Sequence, residues 1–564
     1  VEAGTGVGKS LAYLIPAVLA ATDDQVDEPS DSEPDWDAEG AEADAAAPPR
    51  GPRRVVISTH TIALQEQLIN KDIPLVASVM PREFSAVLVK GRGNYVSLRR
   101  LGLAVERAGS LFPDDAEVQE LHQLASWARS SGDGSLADLS MVPNPAVWDE
   151  IQSDAGNCMG RGCHAYQRCH YYAARRRIQH AQVLVVNHAL FFSDLALRRS
   201  GVSLLPRYDV VIFDEAHMVE AVAGDHLGIG ISSAAVDRVL SKLYNERTHR
   251  GLLVHYRLDD LQTDVLRCRR AAEDFFAAVR SRVAGRGDPP WRVPQRRLVP
   301  DSVGDSLSRL ARSLRTAAEQ ISNQAERHDF LSVADRLTAH AGAVHAWLEQ
   351  SEPGSVWWVE ASRSRRGRER ITLAGAPVDV GVMLKRELFD KVGTVVLASA
   401  TLAVGASRGG QPCEEDASAA DPFVYFRGRL GLREAVSKQL GSPFDYPSQA
   451  ELVLVDRLPD PADREAYDAA VVSMIRRYVD RSGGRAMVLF TSHVSLAKAS
   501  EDLVGWCARN NYRLISQAEG LSRQQMLADF KEGPASVLLG TDGFWQGIDL
   551  PGEQLVNVII TKLP

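Results

Sequence analysis

The sequence predicts an α/β protein with two parallel sheets, the first interrupted by a cysteine-bearing segment and by an all-α insertion. Three observations carry this. Short apolar, β-branched runs at 54–58, 208–213, 394–398, 486–490, 537–540 and 556–561 have the length of buried parallel strands and are separated by helical stretches. A glycine-rich turn opens the first helix, the arrangement that binds phosphate at a crossover. Between 226 and 350 the apolar residues fall instead at helical spacing.

At 564 residues the chain exceeds one core and divides into several domains. No apolar run approaches the roughly 20 residues of a membrane span, and the expected location is cytoplasmic. The net charge of −9 is concentrated: residues 23–44 hold eleven carboxylates and no Lys or Arg, so the remainder sums to +2. Residues 22–50 therefore read as a disordered acidic surface loop, and the folded body has room for basic tracks facing a polyanion. Six cysteines do not make a disulfide framework, but three of them cluster, as in a metal or cluster site of a reducing compartment.

Residues 3–10, Ala-Gly-Thr-Gly-Val-Gly-Lys-Ser, fit a Walker A loop, with Ala3 standing where the stricter form has Gly. Around Gly4, Thr5, Gly6 and Gly8 the backbone N–H groups can turn inward on phosphate oxygens, and the following helix presents its positive end. Lys9 is expected on the β- and γ-phosphates of ATP and Ser10 on Mg²⁺. A second carboxylate site follows at 210–215, Val-Val-Ile-Phe-Asp-Glu. Asp214 is expected to help hold Mg²⁺, and Glu215 to orient and deprotonate the attacking water.

The helical stripes are Val254, Leu258, Leu261, Val265 and Cys268; then Val303, Leu307, Leu310, Leu314, Ala317 and Ile321; then Phe330, Ala334, Leu337, Ala341, Val344 and Leu348. Their reading is plain helix-packing core. Cys268, Cys413 and Cys507 read as ordinary thiols.

Asp214-Glu215-Ala216-His217 is a DEAH box, and other segments match superfamily-2 helicases in order. Residues 58–61 resemble motif Ia, 399–402 motif III, 489–492 motif IV and 540–549 motif V. With Val-Val-Asn-His-Ala-Leu at 185–190 and cysteines between motifs Ia and II, the chain resembles the DinG/XPD family, nearest its bacterial damage-inducible branch. The resemblance spans nearly the whole chain outside the acidic loop. Gln546, where the family often has Glu, is a mild departure. It implies a 5′→3′ ATP-dependent DNA helicase with two RecA-like motor domains, an iron–sulfur insertion and a helical arch. It also implies nucleic-acid contact or coupling roles for Thr59, His217, Ser399, Thr401, Thr541, Trp545 and Asp549. The expected division is a first motor domain at 1–90, 206–225 and 391–410, a cysteine insertion at 91–205, an arch at 226–390 and a second motor domain at 411–564.

Cys158, Cys163 and Cys169, spaced C-x4-C-x5-C among Arg161, Arg168, Arg175, Arg176 and Arg177, suit an Fe–S cluster beside a DNA path. The family pattern puts a fourth cysteine where this chain has Ser97, a poorer iron ligand. A [4Fe–4S] cluster completed by Ser97, His164, His170 or water, a [3Fe–4S] cluster, zinc on three Cys and one His, and a metal-free fold are all open. A second basic run, Arg363, Arg365, Arg366, Arg368 and Arg370, reads as a solvated hairpin or loop or a nucleic-acid contact. Tyr95, Trp357, Trp358, Phe544 and Trp545 are candidates for base stacking, each also readable as core.

The expected partners are single-stranded DNA and duplex junctions, with no membrane, and the chain is expected to be a monomer. The strand before Ala3 and the arginine-finger segment after 564 are expected to be cut away. The phosphate loop would then lack its sheet anchor, and this polypeptide would hydrolyse ATP poorly. Rival readings are an ATP-regulated nucleic-acid-binding protein without unwinding, and an RNA helicase. An appended nuclease has no carboxylate-rich block to support it.

Overall fold

The computed structural model describes residues 1–23, 53–363, 369–404 and 421–563, apart from 113, 140, 199–202, 522, 534, 546, 547, 549 and 551. The acidic loop, apart from residues 22 and 23, therefore lies outside the described residues, as do Arg365, Arg366, Arg368, Cys413, Gln546 and Asp549. The chain forms two compact units, one of Val1–Ser58, Val79–Asp138 and Pro143–Leu440, the other of Thr59–Ser78, Leu139–Val142 and Gly441–Pro564. Among the described residues no helix is long and apolar enough to cross a membrane.

The first unit holds a five-stranded sheet in the order Ala86–Leu88, Val183–Asn187, Val55–Thr59, Val210–Asp214, Thr394–Ala398. Val55–Thr59 and Val210–Asp214 run parallel in register, as do Val210–Asp214 and Thr394–Ala398. The central strands are buried on both faces, which is why they read as unbroken apolar runs rather than alternations. Val183–Asn187 falls inside the stretch read as the 91–205 insertion, so the chain rejoins this sheet well before residue 205. The second unit has its own parallel sheet, ordered Arg513–Ser516, Ser536–Gly540, Ala486–Leu489, Asn557–Ile560. Two parallel sheets are what the sequence pattern predicts.

The stretch 226–390 corrects the all-α expectation. Its helices Ser302–Glu319 and Gln324–Glu349 pack through the second and third predicted stripes, with Leu307, Leu310, Leu314, Phe330, Leu337 and Val344 buried in one core. The first stripe is split: Val254 lies in the short helix Leu252–His255, and Val265 and Cys268 are buried on Asp259–Val283. That core is closed by a four-stranded antiparallel sheet, Ile229–Ser232, Glu369–Pro377, Ser355–Arg363 and Trp291–Arg292. Trp357 and Val359 point into the helices while Trp358 and Glu360 face out, the period of two that marks a strand. Trp357 lies over Gly375, where an added Cβ would come within 2.3 Å of its ring.

A buried ionic cluster ties the cysteine-bearing segment to these helices. Asp329 accepts from Arg99 Nη1 at 3.2 Å, Arg107 Nη1 at 3.0 Å and Asn157 Nδ2 at 3.1 Å. Arg336 pairs with Asp154. Elsewhere in the segment, Lys90 reaches Asp133 at 2.8 Å and Arg177 reaches it at 3.1 Å. Burial pushes the Asp133 carboxyl up, but Lys90, Ser135 and Arg177 outweigh it and bring it down to about 2.

Asp329→Ala strips Arg99 of this carboxylate and leaves Arg107 with Glu326 at 3.7 Å. An uncompensated buried charge costs about 3–5 kcal/mol. Thermal unfolding should fall by several degrees, with faster hydrogen exchange in the helix Leu98–Glu106 and around Cys158; unchanged exchange there would refute the tie. The Asp133 contribution is fully present above the ordinary aspartate range and is lost as pH falls toward 2. After allowance for solvent screening it is about 1–2 kcal/mol at neutral pH. Asp133→Asn should destabilise the protein at pH 7 and lessen its loss of stability between pH ~4 and ~2, read by acid titration of circular dichroism.

Candidate functional site

The site is built at the carboxyl ends of parallel strands, where α/β sheets bind ligands. Residues 1–3 are held there by backbone pairing. Ala3 N donates to Ser399 O at 2.9 Å, Ser399 N to Val1 O at 3.2 Å, and Glu2 N to Lys438 O at 2.8 Å. The Glu2 carboxylate accepts from Leu402 N and Ala403 N at 2.5 and 2.6 Å. Among the described residues this pairing is by isolated bridges of Glu2 to Ser399 and Gln439, not by a strand of the sheet.

The turn carries Gly6 and Gly8 at φ 77° and 87°, values open to glycine at little cost. Gly8 caps the helix Lys9–Ala21. With Gly4 and Thr5 just before the turn and Ser10 in the helix's first turn, the loop has the form expected of a phosphate cradle. Lys9 Nζ donates to Ala3 O at 3.0 Å and Gly4 O at 3.2 Å. One turn further along the same helix, the buried Tyr13 donates its hydroxyl to Asp214 Oδ2 at 3.2 Å.

Asp214 ends the strand Val210–Asp214, next to the central one, and is buried. Burial, reinforced by the neighbouring Glu215, pushes its carboxyl up to about 6 against the opposing pull of the Glu215 N–H, Tyr13 and Lys9. Glu215 sits at φ 53°, ψ 47°, a left-handed conformation that costs about 1–3 kcal/mol for a non-glycine residue and concentrates at functional sites. Ser399 joins the two halves of the DEAH box. Its Oγ lies 2.8 Å from His217 Nδ1 and donates to Glu215 Oε2 at 3.4 Å, and it accepts from Thr401 N at 3.4 Å. Burial lowers the His217 imidazole below its ordinary range, favouring the neutral ring. Lys9, Asp214, Glu215, His217, Ser399 and Thr401 thus share one region, in which a divalent cation would relieve two adjacent carboxylates.

The other predicted residues have partners of their own. Thr59 is buried and its hydroxyl donates to Thr61 O at 3.3 Å, beside the capped helix Ile62–Gln67. In the second unit, Gln517 Oε1 accepts from both Thr541 N and Thr541 Oγ1 at 2.9 Å, and His493 Nε2 is 3.4 Å from that hydroxyl. Trp545 is half-buried and donates to Phe490 O at 3.4 Å. Of the stacking candidates, Tyr95, Trp357 and Phe544 are buried core and offer no open face. Trp358 is half-buried and bonded to Glu360. Arg363 and Arg370 lie at the described ends of a hairpin.

Cys158, Cys163, Cys169 and Ser97 line one cavity. Cys169 is the N-cap residue of the helix His170–His180, with the N–H groups of Tyr172 and Tyr171 near its sulfur but no side-chain cap hydrogen bond. Burial raises the Cys169 thiol, and those N–H groups oppose it by favouring thiolate. Tyr172 Oη lies 3.6 Å from Cys158 Sγ. Neither His164, which is exposed, nor His170, which packs on Gly134, lines the cavity. Among the described residues no three His, Cys, Asp or Glu side chains converge as ligands of a single ion.

Sequence reasoning missed Tyr13, Gln517 and His493, and did not see that His188 holds Ser58 Oγ at 2.7 Å. Tyr13 had a signal, since it stands four residues after Lys9 on one helix face. The others had none, being brought in by folding.

A family model for the helicase C-terminal domain matches residues 475–564, and the DEAD_2 model matches 155–236. ATP-dependent DNA helicase YoaA of Escherichia coli (strain K12) is 30% identical over 576 residues, covering 100% of this chain and 78% of the relative. ATP-dependent DNA helicase DinG of Photobacterium profundum is 26% identical, covering 100% and 80%. ATP-dependent helicase DinG of Mycobacterium tuberculosis is 28% identical, covering 100% and 78%. With the DEAH box and phosphate loop brought together as described, this similarity along the entire sequence shows that the chain belongs to the DinG/XPD-type helicase family.

Proposed function

We propose that the chain is the ATP- and Mg²⁺-dependent motor of a DNA helicase, translocating 5′→3′ on single-stranded DNA and acting at duplex junctions in repair or in fork and R-loop resolution. The observation that carries this is Ser399, hydrogen-bonded to both His217 and Glu215 beside the phosphate loop. A triplet remote in sequence is thereby linked to the carboxylate that acts on water, as coupling of nucleotide state to nucleic-acid grip requires. The amides around Gly4, Thr5, Gly6 and Gly8 cradle the phosphates, Lys9 neutralises the transferred group, Ser10 and Asp214 hold Mg²⁺, and Glu215 is the general base. Thr59, Thr541, Trp545 and Asp549 contact nucleic acid, while His217, Ser399 and Thr401 couple. The names of the relatives support DNA as the substrate.

The donor set of the cysteine cavity, three cysteines lining one space with Ser97, suits an iron–sulfur cluster. Cys158, Cys163 and Cys169 would hold the cluster, which would supply a redox-active structural centre next to the basic helix His170–His180.

Glu215→Gln should retain ATP binding while kcat for DNA-stimulated hydrolysis falls about 10²–10⁴-fold; equal loss of binding would contradict a general-base role. With 5′- and 3′-tailed duplexes, strand displacement should require the 5′ tail and ATP. Displacement from the 3′ tail, or DNA-stimulated ATPase without displacement, would overturn the reading. Affinity for single strands should fall steeply with salt, with a log–log slope near −0.7 per phosphate contacted.

A further inference from the structure

We infer that the cysteine cavity carries a cluster with one exchangeable iron, held by three thiolates and facing Ser97 at the remaining corner. The inference rests on the cluster reading above. Ser97 and the three cysteines line one cavity, whereas the other candidate side-chain ligands, His164 and His170, do not. Cys158, Cys163 and Cys169 all present sulfur to that cavity, and the Tyr172 hydroxyl lies 3.6 Å from Cys158 Sγ.

Ser97 is differently placed. It caps the helix Leu98–Glu106, its Oγ accepting from Arg100 N at 3.4 Å, and its backbone N–H donates to Ile151 O at 2.8 Å. That pairing holds the residue at the cavity wall. A serine hydroxyl ionises far less readily than a thiol, and its alkoxide is a harder and weaker ligand for iron. The iron at this corner is therefore bound by the cluster sulfides and by an oxygen ligand that exchanges, while the other three are fixed by cysteine.

The chemistry follows from that asymmetry. One-electron oxidation by an added acceptor such as ferricyanide takes [4Fe–4S]²⁺ to [3Fe–4S]⁺ with release of one Fe²⁺. The electron goes to ferricyanide, and the three thiolate–iron bonds persist. Ferrous iron with a reductant reverses the step. The Ser97 hydroxyl returns to its capping hydrogen bond.

The test uses full-length protein, purified anaerobically and loaded with ferrous iron and sulfide. On ferricyanide oxidation the wild type should lose about one iron in four, keep its acid-labile sulfide and acquire the electron paramagnetic resonance signal of [3Fe–4S]⁺. Ser97→Cys should slow that loss at least about tenfold, as thiolate replaces the weaker oxygen ligand. Wild type that keeps all its iron under oxidation overturns the inference while leaving the cluster reading intact. So does faster iron loss in His164→Ala or His170→Ala, which would give the corner to histidine. Failure of both wild type and Ser97→Cys to take up iron and sulfide defeats the cluster reading itself. If Ser97→Cys does not fold, the wild-type oxidation and the two histidine variants still decide.

Discussion

Two carboxylates on consecutive residues, one of them buried at the end of a central strand, are the constraint around which the first unit is arranged. Asp214 lies at the carboxyl end of an inner strand of the five-stranded sheet, with Phe213 before it packed among Phe191, Phe192 and His188. A charge there is costly unless something compensates it. Glu215 adds a like charge one residue on, in a backbone conformation that an ordinary strand end would avoid. The fold answers with groups from remote sequence: Tyr13 from the first helix, Ser399 after the last strand of the sheet, and Lys9 from the loop. Each is short of a full counter-charge contact. The pair is thereby oriented, and a divalent cation placed there would relieve it.

The same logic of remote compensation fixes the cysteine segment. Its three cysteines lie in short turns with little regular structure, Gly160–Gly162 and Tyr166–Arg168, which by themselves would hold no geometry. Order comes from outside. Asp329, near the start of a 26-residue helix, grips Arg99, Arg107 and Asn157. Arg99 is two residues from Ser97 and Asn157 is next to Cys158, so one helix end sets the relative position of two corners of the cavity. A change in the helices of this module is bound to be felt at the cavity, and the reverse.

What was legible in the sequence was whatever the chain encodes locally. The phosphate loop announces itself because glycines, a lysine and a helix start must be contiguous, and the strand into Asp214 because both of its faces are buried. The three helix stripes were legible for the same reason, each being a surface drawn by one segment. The antiparallel sheet was hidden because its strands are scattered from Ile229 to Pro377, and the two adjacent tryptophans mask an alternation that emerges only once Trp357 faces the helices. Val183–Asn187 was hidden behind the irregular cysteine segment that precedes it. The partners of the predicted residues were illegible in principle. Nothing around Gln517 says that its amide will hold Thr541, 24 residues away.

Tyr13 shows why such unannounced partners matter to the chemistry. An arginine or lysine in its place would pair Asp214 permanently, and a buried pair of that kind is costly to break. A phenol donates one neutral hydrogen bond, worth about 1 kcal/mol net, enough to orient the carboxylate but too little to compete with a divalent ion. The opposite oxygen, Oδ1, is held by the Glu215 N–H at 3.0 Å, again a neutral donor. Asp214 is thus positioned from both sides without being neutralised from either. Gln517 treats Thr541 alike, fixing both its amide and its hydroxyl with one neutral oxygen. In both units the predicted functional side chains are oriented chiefly by neutral hydrogen bonds, which leaves charge free to respond to a ligand.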